Sequence, residues 1–164
     1  MLFRLDLVGI AEDFFLDCVA LSDELTEGLG EIHVDCGIAS VALSCASIER
    51  MSQFNESYRG IGEPTDVLAF PLWEEGGKFA PPEAWDELPL GDVIVSPGFV
   101  RQKTGIAGAG CDEEIARLVI HGVLHLIGFD HDTEDREAEM WDLQESILEK
   151  YVSRVNGRGG LMAE

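Results

Sequence analysis

Three of the four histidines in this 164-residue chain fall within eleven positions, at His121, His125 and His131. His121 and His125 are four apart, so on a helix both imidazoles lie on one face, one turn from each other, and can reach the same ion. A third ligand from that face would crowd them, so the helix must stop and the chain must turn back. Gly128 stands where that has to happen, and its access to left-handed backbone suits it to end the helix and bring His131 round. From Leu118 to Ile127 every residue except the two histidines is apolar or glycine, the composition of a helix buried nearly all round. Polar rings on such a helix need a partner, because unpaired buried polar groups are costly. Three neutral imidazoles with an open fourth position describe one catalytic Zn2+ with three His ligands plus a water. A lone histidine would more simply be satisfied by a backbone carbonyl; three at this spacing favour a metal.

The elements that must hold these residues can be read from periodicity. The histidine helix should begin near Asp112 or Glu113, whose charges suit a helix N-terminus. After His131, Asp132 or Thr133 can cap a last helix with Met140, Leu143, Ile147, Leu148 and Tyr151 along one face. Upstream, Leu2 to Leu7 reads as a strand, and Ala11 to Leu29 as a helix with an apolar stripe at 14, 15, 18, 21 and 25. Ile38 to Leu43 reads as a second strand, Ser47 to Tyr58 as a helix, and Thr65 to Phe70 and Asp92 to Ser96 as further strands. Ser96-Pro97 can start a short helix that ends before the glycines at 105 to 110. Leu72 to Leu90, with Gly76-Gly77, three prolines, Trp73 and Trp85, reads as a long loop. It is either a flap over the histidines or a surface excursion packed by its tryptophans. Residues 1–155 are expected to form a single domain, with 156–164 as a flexible tail.

The spacing H-x-x-x-H-x-x-G-x-x-H is similar to that of the metzincin proteases, but those carry a glutamate base directly after the first histidine. Here that position is Gly122. The stretch His121 to His131 instead resembles the signature of the YbeY family of bacterial endoribonucleases and rRNA maturation factors. Asn55-Glu56-Ser57-Tyr58-Arg59-Gly60, followed by Pro64-Thr65-Asp66-Val67-Leu68-Ala69-Phe70-Pro71, is similar to another hallmark of that family, with Ala69 where serine is common. Gly91-Asp92-Val93-Ile94-Val95-Ser96 resembles its next strand. The resemblance spans about residues 38 to 150, with three motifs in order. It implies an α+β, zincin-like fold, a small mixed β-sheet packed with helices, and a zinc site on the helix that ends at Gly128. It also implies a single-strand-specific, zinc-dependent endoribonuclease active in small-subunit rRNA 3′-end maturation and ribosome quality control.

His121 then acts through the metal, and Arg59 helps to bind or cleave RNA. Read on its residues alone, Arg59 has a donor fork suited to phosphate, but it would serve equally as a surface ion pair or helix-end contact. Asp66 has the chemistry of a ligand or base and equally that of a turn acceptor. Asp130, Asp132, Glu134 and Asp135 could accept an imidazole N–H or replace the missing base; acids at this point more often cap the next helix. His33 has no assigned role.

Charge sets a boundary on partners. With 32 acidic against 11 basic residues, the net charge of −21 argues against strong nonspecific nucleic-acid affinity. RNA, including rRNA, must be met through a local basic patch, divalent ions, or a ribosome or basic ribosomal protein that presents it; no DNA partner is expected. No apolar run is long enough to span a membrane and no signal segment is evident, so a cytoplasmic protein without a membrane partner is expected. Cys18, Cys36, Cys45 and Cys111 show no paired spacing and read as buried thiols, with metal ligation by Cys111 a minor alternative. Two other functions compete with RNA cleavage. One is a zinc-dependent hydrolase of peptide or amide bonds, which Gly122 disfavours. The other is a non-catalytic ribosome-associated factor with zinc as a structural pin, for which four protein ligands would be usual.

Overall fold

A computed structural model describes residues 1–8, 14–32, 34–106 and 108–163, with side chains described as far as Gly157. The strands are β1 (Leu2–Leu7), β2 (Cys36–Cys45), β3 (Val67–Pro71), β4 (Glu74–Glu75), β5 (Lys78–Phe79) and β6 (Trp85–Val95). The helices are α1 (Cys18–Gly28), α2 (Ile48–Arg59), α3 (Pro97–Thr104), α4 (Ala109–Leu126) and α5 (Glu134–Ala163). Four strands form one mixed sheet in the order β1-β2-β6-β3. The first three run parallel, and β3 lies antiparallel on the edge beside β6. This is the expected α+β arrangement of a small mixed sheet with helices.

Alternation along the strands assigns the two sheet faces. Val93 and Val95 of β6, with Val41 and Leu43 of β2, join the main core with Leu21 and Leu25 of α1, Ile120 and Leu124 of α4, and Ile147 and Tyr151 of α5. Ile94 and Leu68 turn the other way, onto Met51, Phe54 and Phe70, so α2 covers the opposite face. The sheet therefore separates α2 from the histidine helix α4. Gly122 allows α4 to lie close on the sheet, since a Cβ there would stand 2.7 Å from a methyl of Val93.

The capping chemistry explains most boundaries. Ser47 accepts from the Arg50 amide and starts α2, while Gly60 ends it in left-handed backbone. Arg59 is thus the last helical residue rather than the first beyond it. The Asp17 side chain accepts from the Ala20 amide, so α1 begins at Cys18. Residues 14–17 are not helical, which shortens the expected helix from Ala11; residues 9–13 and His33 lie outside the described residues. Thr133, not Asp132, caps α5: its hydroxyl accepts from the Arg136 amide at 3.2 Å. The α5 backbone runs on to Ala163, through the stretch expected as a tail. Met140, Ile147, Leu148 and Tyr151 are buried along it as the pattern predicted.

The largest departure from the sequence reading is at residues 72–90. It is not one loop: Glu74 to Phe79 form a hairpin, β6 begins at Trp85, and the longest irregular piece is 80–84 between them. Pro89 and Gly91 conceal this strand. Ser40 pairs with Pro89 and Val41 with Gly91, so Leu90 is the extra residue of a bulge in β6. Gly91, at φ 142°, comes so close to β3 that a Cβ would lie 2.1 Å from the Phe70 carbonyl oxygen. The histidine helix likewise starts at Ala109, a turn before the acids expected to begin it. The cysteines are all free; Cys111 is buried in the core, whereas Cys18, Cys36 and Cys45 are only half-buried.

Candidate metal centre

His121 and His125 stand in the last two turns of α4, which ends at Leu126. Gly128 follows at φ 95°, a conformation that favours glycine, and turns the chain toward His131. A Cβ at Gly128 would also meet the Cβ of Phe79 at 2.9 Å, so the turn is packed directly under the β4–β5 hairpin. The return loop is tied down at several points. Asp130 accepts from the His131 amide at 2.7 Å, and Arg136 pairs with Asp132 at 3.0 Å. One ligand nitrogen from each of the three histidines lies within 4.8 Å of the others, with His121 and His125 half-buried and His131 exposed. Among the described residues no acid or cysteine joins this cluster.

Hydrogen bonding settles the tautomers of the two helical imidazoles. His125 Nδ1 donates to the Phe129 carbonyl at 2.9 Å, and that oxygen can only accept. His121 Nδ1 donates to Gln144 Oε1 at 2.8 Å, while the Gln144 amide nitrogen donates to Glu145 at 3.2 Å. Each ring therefore keeps its proton on Nδ1 and turns a bare Nε2 lone pair inward. These two Nε2 atoms face each other at 3.0 Å. With neutral rings no proton stands between them, so the contact is repulsive until a cation is shared. Two nitrogens each ~2.0–2.1 Å from a tetrahedral ion lie about 3.3 Å apart, close to the separation found. Burial, reinforced by the neighbouring His121, lowers the pKa of His125 and so favours the neutral, ligating form. The residues present fit a single metal ion.

Gln144 was not foreseen as a functional residue. It is buried at 2% exposure within the apolar face of α5, one helical turn after Met140. A polar residue at an apolar position of the stripe was the available signal. Its own support comes from Glu145, which also accepts from Arg117 of α4 at 3.1 Å. The imidazole of His121 is thereby fixed by contacts across the α4–α5 seam.

The histidines open into a cleft of about 450 Å³, lined also by Arg59, Asp66, Ala69, Lys78 and Phe79. Arg59 reaches it from the last turn of α2, where the preceding Tyr58 lies against Phe70 with ring centroids 4.5 Å apart and the rings tilted by 56°. Asp66 stands apart from the imidazole cluster, in contact with Lys103 at 3.5 Å. Asp132 likewise serves Arg136, and Glu134 and Asp135 occupy the first turn of α5, as capping acids would. Gly122 lines the same cleft, but its missing side chain would point at Val93, so a glutamate here would collide with the sheet.

A cluster of three imidazoles that could hold one metal ion, two from the end of a helix and one from the loop beyond it, open to a cleft in a mixed α+β fold, defines a zincin-like protein. A family model described as Endoribonuclease YbeY matches residues 18–152. The chain belongs to the YbeY family. A relative from Geobacillus, Endoribonuclease YbeY, is 34% identical over 153 residues, 92% of this chain and 97% of its own. A relative of the same description from Halalkalibacterium halodurans is 41% identical over 117 residues, 70% of this chain and 74% of its own. A solution structure of a protein from Thermotoga maritima shares the fold at a TM-score of 0.60 and 25% identity, covering 95% of this chain and 93% of that one. No described helix is long and apolar enough to cross a membrane.

Proposed function

We propose that the protein is a zinc-dependent endoribonuclease that cuts single-stranded RNA. Membership of a family described as Endoribonuclease YbeY supports the reaction class. The observation that carries the reading to this chain is the pair of inward-facing Nε2 lone pairs, 3.0 Å apart and flanked by His131, in a cleft that Arg59 also lines. Three neutral imidazoles suit zinc and leave a coordination position free. When bound, the ion supplies charge stabilisation at a phosphoryl oxygen and lowers the pKa of a coordinated water toward 7.

The chain's own residues do the rest. His121, His125 and His131 hold the ion, and the Phe129 carbonyl and Gln144 keep the first two rings in the ligating tautomer. Arg59 holds a non-bridging phosphate oxygen and so orients the phosphodiester. With no glutamate at position 122, peptide hydrolysis by the zincin route lacks its base, which disfavours a peptidase. The cellular substrate is rRNA, with the small-subunit 3′ end as the site of maturation and ribosome quality control as the setting, in the cytoplasm and in contact with the ribosome. The working unit is residues 1–155, with Val155 still packed against the main core.

An end-labelled RNA with single-stranded regions, incubated with zinc-loaded protein and with His125→Ala purified identically, tests this. Cleavage by the first and not the second is expected; equal cleavage by both would mark a contaminant and remove the proposal's support. Arg59→Ala should slow cleavage and leave zinc content unchanged, and undiminished activity would take Arg59 out of the mechanism. A 2′,3′-cyclic phosphate on the upstream product would show attack by the ribose 2′-hydroxyl rather than by water.

A further inference from the structure

We propose that Lys78 is a second phosphate-holding residue, placed by the β4–β5 hairpin so that cations from two separate elements hold the RNA backbone in the histidine cleft. This rests on the endoribonuclease reading and extends it to how a strongly acidic protein holds its substrate. The chain has 11 basic residues against 32 acids, so an unpaired cation is a scarce object. Arg4, Lys103, Arg117, Arg136 and Arg154 are in ion pairs. Arg101 also has a partner, and Arg50 lies over the Phe54 ring and donates to Gln53. Among the residues with described side chains, Arg59, Lys78 and Lys150 are left with neither an ion pair nor another side-chain partner. Two of these three line the histidine cleft; Lys150 lies in a separate groove with Glu24, Glu27 and Glu149.

The hairpin holds Lys78 in place. Gly76 and Gly77 both have positive φ, 59° and 77°, the two-residue turn whose twist matches that of its strands. Glu74 pairs with Phe79 and Glu75 with Lys78. The base is anchored by the Ala80 amide donating to the Trp73 carbonyl at 2.9 Å, and by the Trp73 indole donating to the Pro89 carbonyl at 2.6 Å. Trp73 also meets Trp85 edge-on with centroids 5.6 Å apart. Phe79, next to Lys78, sits against Gly128, the turn that delivers His131. The segment that carries the cation is therefore packed on the segment that carries the third histidine.

Arg59 and Lys78 join the lining of the cleft from two different elements, the end of α2 and the β4–β5 hairpin. Thr65 and Asp66, which lead into β3, and Pro71 at its end line the same cleft. Glu74, Asp66 and Asp130 also line the cleft. Their repulsion opposes the backbone, so each free cation there counts for more than on a basic protein. A lysine acts as a point charge on phosphate and reads no base, so Lys78 strengthens binding uniformly across sequences.

The test measures cleavage by Lys78→Ala, Lys78→Arg and Lys150→Ala, and binding of fluorescein-labelled single-stranded RNA in a His125→Ala background over a range of salt. Lys78→Ala should raise KM several-fold with kcat within about twofold, and flatten the slope of log affinity against log salt by about 0.7, the loss of one phosphate contact on a single strand. Lys78→Arg should restore both, Lys150→Ala should change neither, and zinc content should match the parent throughout. Unchanged KM and salt slope in Lys78→Ala, with the parent cleaving RNA, would overturn the role of Lys78 and leave the nuclease standing. A parent that neither binds nor cleaves RNA would overturn both.

Discussion

A bare imidazole lone pair is a consequence of what happens on the other side of the ring. For His121 that other side is Gln144, buried and itself held by Glu145. Replacing Gln144 with leucine removes the acceptor, frees the ring to protonate either nitrogen, and leaves an imidazole N–H without a buried partner. Loss of such an outer hydrogen bond typically costs 10–100-fold in metal affinity. Competition with a chromophoric chelator should show a weakening of about that size for Gln144→Leu; unchanged affinity would mean that Gln144 does not set the tautomer. The three histidines were legible because their spacing is local and helical geometry converts it into a shared face. Gln144 was not, because it meets His121 across 23 positions of sequence and only the packing of α5 on α4 brings them together. Its place in the apolar stripe marked it as needing a partner without naming which.

The histidine helix works because it can lie close to β6, and Gly122 is where that closeness is decided. A methyl group at this position would stand 2.7 Å and 3.1 Å from the two methyls of Val93, both inside the main core. Overpacking of this kind costs typically 1–3 kcal/mol. Gly122→Ala should therefore lower the urea midpoint by an amount equivalent to about 2 kcal/mol without changing the m-value; a midpoint within error of the parent would show that α4 can shift away from the sheet at no cost. The same contact gives a structural reason for the absence of the zincin glutamate. Among the elements, the helices and strands with clean periodicity were readable, including β1, α2, α3 and the buried face of α5. Of the long strand β6 only the end from Asp92 was readable, because Pro89 and Gly91 are ordinarily breakers. Here the bulge at Leu90 accommodates the first, and the close approach of β3 requires the second.

For the whole molecule, the question is whether the metal holds the fold together or only equips it. The main core runs through β1, β2, β6, α1, α4 and α5 without using the histidines, which lie at the C-terminal end of α4 and in the loop beyond it. That loop has ties of its own, through Asp130, and through Arg136 to Asp132. The chain is also large enough to bury a core without a metal staple. Chelation should therefore leave a cooperatively folded protein. The stability lost is only what binding contributed, about 2.7 kcal/mol for metal at a hundredfold excess over its Kd, or roughly 5–10 °C in Tm for a chain of this length. RNA cleavage should disappear entirely in the same sample and return when zinc is restored. Calorimetry with and without chelator, run beside the cleavage assay, separates the readings. A small drop in Tm with complete loss of cleavage is the signature of a catalytic ion with three protein ligands. Loss of the unfolding transition on chelation would instead make the metal a structural pin, and would favour a ribosome-associated factor over an enzyme.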